Sequence, residues 1–144
     1  MSQRLIIKNF IIFTLVFLWV YAAFSKVLDF NMFKAQMHRQ VLPHFLKVSL
    51  VYILPPLELS AAILLLFERT QLRGFVLSFG LMVLFTLYVG AAVFRFFDNV
   101  PCSCGGLLSK MGWDAHFIFN LIFLLLTAIG LIISYRERRP GGTL

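Results

Sequence analysis

Charge is scarce in this 144-residue chain: six Asp and Glu stand beside thirteen Lys and Arg, and all four types together make up 13% of the residues. A water-soluble domain of this size carries roughly twice that share, so the polar groups needed to cover an aqueous surface are missing. Cysteine is scarcer still. Two are too few for a disulfide scaffold or a self-sufficient four-ligand zinc site. The chain has no phosphate-binding glycine loop, no metalloprotease helix motif and no Ser/His/Asp arrangement, which argues against nucleotide-dependent and hydrolytic chemistry. The net charge of +7 does not point to nucleic acid, because the basic residues come in ones and twos between apolar runs. They read better as topology signals and lipid headgroup contacts.

What the chain has in quantity is apolar surface: 60% of the residues are hydrophobic and 17 are phenylalanine. A bilayer solvates such side chains, and a helix satisfies its own backbone within it. Four runs approach the roughly 20 residues that cross a hydrocarbon core. They lie at about 5–24, 47–67, 75–94 and 113–135, and the expectation is an all-α, integral membrane four-helix bundle forming one domain over 1–144. The first run, with Arg4 and Lys8 ahead of it and Ala22-Ala23 at its end, also resembles a secretory signal peptide, although it is long for one. Pro55 and Pro56 fall inside the second run and should bend or locally unwind it.

Between the first two runs, segment 25–46 mixes Lys26, Asp29, Lys34, His38, Arg39 and His44 with apolar residues. Phe33, Met37 and Val41 recur every four positions after Asn31, a candidate N-cap, and Pro43 closes the stretch. This spacing predicts a short amphipathic helix lying in the membrane interface, with an ordinary loop as the plainer alternative. Lys and Arg at 4, 8, 69, 73, 136, 138 and 139 crowd into two ends and one short turn, whereas 26, 34, 39, 47, 95 and 110 spread over two longer loops. The denser set marks the cytoplasmic side, so both termini are expected inside and the connection between the last two spans outside.

That connection holds Pro101-Cys102-Ser103-Cys104-Gly105-Gly106. Across three extended residues the two Cα atoms would stand about 7 Å apart, the limit for bridging, so a disulfide here needs a bent backbone. The flanking Pro and Gly-Gly provide one. A ring this small is strained, and strained, exposed disulfides are the readily exchanged ones. An oxidising compartment outside the cytoplasm suits it. Lys110 and the positive end of the last helix would favour thiolate at Cys102 or Cys104. The plainer reading is a static staple or two inert thiols.

Glu58 lies about 16 Å into the second span, where a carboxylate is costly. It can be protonated, can pair with Lys26, or can accept hydrogen bonds from backbone freed by Pro55-Pro56. A polar clasp between spans one and two is the structural role; a proton-handling or quinone-adjacent role is the functional one. His116 and Asn120 share one helix face near the cysteine loop. His116 is therefore a candidate base for a thiol, or alternatively a capping or interhelical hydrogen-bonding residue. Asp98 and Asp114 are read as helix caps.

Phe24-Ser25-Lys26-Val27-Leu28-Asp29-Phe30, Pro56-Leu57-Glu58-Leu59, the Pro-Cys-Ser-Cys-Gly-Gly loop, and Trp113, His116 and Asn120, in this order, resemble the MauE branch of the DoxX-like membrane proteins. The likeness extends over about residues 10–135. It implies a four-helix bundle in the bacterial inner membrane and an association with extracytoplasmic thiol redox work. In the name-giving case that work is maturation of a disulfide-rich methylamine dehydrogenase subunit. The expected activity is thiol-disulfide exchange by Cys102 and Cys104, aided by His116 and supported by Lys26, Glu58, Lys110 and Asn120, with a thioredoxin-like or other cysteine-containing periplasmic protein. The resemblance permits a quinone as electron acceptor, although no residue pattern marks one. Two other readings stay open: a non-catalytic membrane subunit or chaperone that binds a partner protein, and copper or zinc held by Cys102, Cys104 and His116 with His38 or His44.

Overall fold

The computed structural model describes residues 2–94, 96 and 110–139. Five helices are assigned within them: α1 (Gln3–Leu28), α2 (Phe30–His38), α3 (His44–Leu66), α4 (Gln71–Val93) and α5 (Trp113–Arg138). All but α2 are long and apolar enough to cross a membrane. The architecture is all-helical, a four-helix transmembrane bundle with one short extra helix.

The bundle is apolar on both sides of each helix, and only the outer side faces lipid. On α1, Ile11, Leu15, Leu18 and Ala22 are buried while Phe10, Phe13 and Phe17 are exposed, two stripes on opposite faces at helical spacing. Only 22–39% of the spanning windows is buried, so most of the apolar surface points outward. In water that exterior would aggregate; in hydrocarbon it is solvated. Buried polar side chains bond within the bundle, either across to another helix or back to their own. Trp19 Nε1 donates to Ser78 Oγ at 2.9 Å, Thr86 Oγ1 to the Met82 carbonyl at 2.6 Å, and Thr127 Oγ1 to the Phe123 carbonyl at 2.6 Å.

Helix α1 packs on α3 and α5, and α4 packs on α3 and α5. At one end, Lys8 Nζ meets Glu137 Oε2 at 2.6 Å, and Arg138 donates to the carbonyls of Glu68 and Arg69 at 3.1 and 2.6 Å. These contacts gather the start of α1, the α3–α4 turn and the end of α5. At the other end the α4 C-terminus meets the α5 N-terminus, with the rings of Phe94 and Phe117 at 6.3 Å. The helices therefore alternate in direction.

Several local expectations are revised. Helix α3 is unbroken through Pro55 and Pro56 rather than unwound. Proline's fixed φ suits a helix, and a melted turn in hydrocarbon would strand more backbone groups than the two lost donors do. Asn31 is not an N-cap, because α2 begins at Phe30 directly after the kink at Asp29 (φ −123°, ψ 59°). Val41 does not extend the apolar stripe: α2 stops at His38, and Val41 is 55% exposed, whereas Phe33 and Met37 are buried against Val51 and Leu54. Asp114 does not cap α5 either. The N-cap is Gly112, and Asp114 sits in the first turn, where its charge still opposes the helix dipole. Asp98 lies outside the described residues.

Close helix approach depends on Gly130 of α5, where an added Cβ would collide with the ring of the fully buried Phe75 of α4. Gly130→Ala is expected to destabilise the bundle by about 1–3 kcal/mol through overpacking. Gly80→Ala, at a position open on all sides, should leave it unchanged or slightly firmer. Thermal unfolding of both variants in one detergent checks the contrast.

Candidate functional site

Lys26 occupies the last turn of α1, and its side chain points into the bundle. The ammonium donates to Glu58 Oε1 at 2.9 Å, to Glu58 Oε2 at 3.1 Å and to the carbonyl of Ala22 at 3.1 Å. It also lies 5.8 Å from the centroid of the Phe33 ring on α2, within cation–π range. Of the arrangements open to Glu58, the structure has the ion pair with Lys26, and the side chains are only 2% and 1% exposed. One buried cation thus links α1, α3 and α2.

Above this pair the helices do not close. A cavity of about 310 Å³ lies among α1, α3, α4 and α5 and is bordered by Lys26 and Glu58. Its walls are largely aliphatic and aromatic, with Trp19 from α1, Phe85 and Tyr88 from α4, and Phe119 from α5. Gln40, in the link after α2, also borders it, and Tyr88 donates its hydroxyl hydrogen to Gln40 Oε1.

Asn120 lines the same cavity from α5 and is 4% exposed. Its Nδ2 is fully buried and has no hydrogen-bond partner among the described residues. A buried amide donor without an acceptor is costly, and more so in a bundle surrounded by hydrocarbon. His116, one turn earlier on the same face, is 1% exposed and stacks on Trp113 with ring centroids 6.5 Å apart. Lys110 is exposed just ahead of α5. Cys102 and Cys104 lie outside the described residues.

The structure therefore joins Lys26, Glu58 and Asn120 around one cavity and places His116 beside it on α5. Trp19, Gln40, Phe85, Tyr88 and Phe119 were not singled out by the sequence. Gln40 and Tyr88 are the two with a legible signal, since each is a hydrogen-bonding side chain in or beside an apolar stretch. The aromatic rings carry no such mark among the chain's many phenylalanines. Among the described residues no group of three His, Cys, Asp or Glu is placed to hold a metal ion; His38 and His44 stack on each other at 6.4 Å.

Comparison with known proteins gives one match. The family model described as methylamine utilisation protein MauE matches residues 4–133. No curated protein and no solved structure matches the chain.

The ion pair sets a stability test. Lys26→Met leaves the Glu58 carboxylate buried without its cation and is expected to cost about 3–5 kcal/mol, as breaking one partner of a buried pair does. The double variant Lys26→Met/Glu58→Leu removes both charges and should recover most of that loss. Equilibrium unfolding in mixed micelles measures both.

Proposed function

This chain belongs to the MauE family of membrane proteins, and from that premise we propose that it is a redox protein using Cys102 and Cys104 for thiol-disulfide exchange. The observation that carries the proposal is the Cys-x-Cys pair, between Pro101 and Gly105-Gly106, in the connection between α4 and α5 of a multi-pass membrane protein. The uneven placement of Lys and Arg supports both termini in the cytoplasm and this connection in the periplasm of a bacterial inner membrane.

The exchange needs nothing beyond the two thiols and a cysteine-bearing partner, thioredoxin-like or a secreted substrate. A Cys102 thiolate attacks one sulfur of a partner disulfide, forming a mixed disulfide and releasing the partner's other sulfur as thiolate. Cys104, losing its proton, then attacks Cys102 and expels the partner's remaining sulfur. Cys102–Cys104 is left oxidised and the partner is left as a dithiol, with two electrons and two protons moved. The reverse sequence oxidises the partner. His116, held by stacking at the start of α5, suits the proton-handling role, and exposed Lys110 favours thiolate electrostatically.

Cys102→Ser and Cys104→Ser are each expected to abolish turnover with a disulfide-bearing peptide, while Cys104→Ser should accumulate the mixed disulfide on Cys102. Mass mapping after labelling intact cells with a membrane-impermeant thiol reagent reads redox state and sidedness together. Unlabelled cysteines that become reactive only after membrane disruption would place them in the cytoplasm and refute the reading. His116→Ala should slow the exchange without preventing formation of the Cys102–Cys104 bridge.

A further inference from the structure

One wall of the cavity is not a helix. The helical lining comes from the second half of α1, the middle of α3, the second half of α4 and the first turns of α5, so the space lies toward the end where α1 finishes and α3 begins. At that end the link at 39–43 joins α2 to α3, with Gln40 and Leu42 turned into the cavity and Arg39, Val41 and Pro43 turned out. The two helices beside the link are well fastened: Phe33 and Met37 of α2 are buried against Val51 and Leu54 of α3. The link itself bonds back to α2, where the N–H groups of Arg39 and Gln40 donate to the carbonyls of Gln36 and Met37 at 3.2 and 3.1 Å. Across the cavity it is joined to α4 by side chains. Tyr88 donates its hydroxyl hydrogen to Gln40 Oε1, while Gln40 Nε2 donates to the Gln36 carbonyl at 3.1 Å. The Gln40 amide thus bridges the end of α2 and α4.

We propose that the link at 39–43 is a hinged cover over the cavity, latched to α4 by the Tyr88–Gln40 hydrogen bond, and that its opening admits small neutral solutes from the water–headgroup layer. A neutral hydrogen bond is a weak fastening, because water can replace each partner when the latch parts. Five non-helical residues between two fastened helices can swing by changing a few backbone torsions. The hinges are the C-cap of α2 at Arg39 and Pro43, whose fixed φ leads into α3. Exposed Arg39 and His44 keep the outer face of the cover in the polar layer, whereas Gln40 and Leu42 seal the apolar interior. The inference goes beyond the thiol reading and is argued without the cysteines.

The test uses the full-length protein in nanodiscs and acrylamide, a neutral water-soluble quencher. Trp19 and Trp113 are the only tryptophans, so a Trp113→Phe background leaves Trp19, 1% exposed and a wall of the cavity, as the single tryptophan reporter. In that background Tyr88→Phe keeps the ring and removes the donor, and it should raise the bimolecular quenching constant about threefold to tenfold, as loss of one hydrogen bond shifts an opening equilibrium. Gln40→Leu, which removes the acceptor and keeps the bulk, should do the same. The double variant should go no further than either single one, because both remove one latch. Hydrogen exchange should stay unchanged through α3 and α4, and thermal unfolding verifies that the variants are folded. Unchanged quenching in both folded variants would overturn the proposal. So would additive effects in the double variant, or faster exchange spread through α3 and α4, since either describes loosened packing in place of a cover. The Cys102→Ser/Cys104→Ser variant should be quenched like the parent, so failure of thiol exchange and failure of the cover are read separately.

Discussion

Inside hydrocarbon a polar group has only the protein to answer it, and the contact between Lys26 and Glu58 is where this chain meets that constraint most severely. The two side chains sit in the bundle almost without solvent, joined at 2.9 and 3.1 Å, and the ammonium also donates to the Ala22 carbonyl and lies against the Phe33 ring. This geometry fixes the end of α1 against the middle of α3 and draws α2 onto both. Buried ion pairs rarely add net stability over well-packed apolar residues, because desolvation consumes the Coulombic gain. Such a pair earns its place by what it positions, and here it borders a cavity of about 310 Å³ among the four long helices.

The remaining architecture follows from the same rule applied to weaker groups. Threonines at 86 and 127 bond back to their own helices, Trp19 reaches Ser78, and small residues let the backbones approach. Gly130 admits the Phe75 ring, and Ala23, Ala61 and Ala62 lie fully within the interior. Packing by small residues and local hydrogen bonds is what holds helices together when the solvent is itself apolar. Phenylalanine, abundant as it is, is divided between this interior and the lipid face.

The fold was legible because hydropathy over some twenty residues reports a bilayer directly, and the match to one family model over residues 4–133 agrees with the resemblance read from the motifs. The Lys26–Glu58 pair was legible as one of three arrangements: a carboxylate at the depth of Glu58 needs a proton, a cation or freed backbone donors, and Lys26 at the edge of the first span was the cation in reach. Local features were less so. The break at Asp29 shifts the start of α2 to Phe30 and ends it before Val41, which no periodicity of apolar residues reveals. Continuity through Pro55 and Pro56 depends on the surrounding medium more than on proline's own preference. The cavity was invisible because it is space left where four helices fail to meet. Asn120 could be placed on a face from sequence, but the absence of a partner for its amide is a property of the assembled bundle.

The polar side chains described around that space come from all parts of the bundle: Trp19 and Lys26 from α1, Gln40 from the link after α2, Glu58 from α3, Tyr88 from α4 and Asn120 from α5. No pair of helices alone contains the site, so anything that binds there binds only the complete bundle. Ligand occupancy must then stabilise the assembled state by mass action, and loss of any one helix contact must weaken binding in return. Cys102 and Cys104 stand under a different constraint. The proposed exchange would need a partner in water, whereas the Asn120 amide is buried, and α5, which carries His116 and Asn120 one turn apart on its inward face, follows the cysteine connection in the sequence.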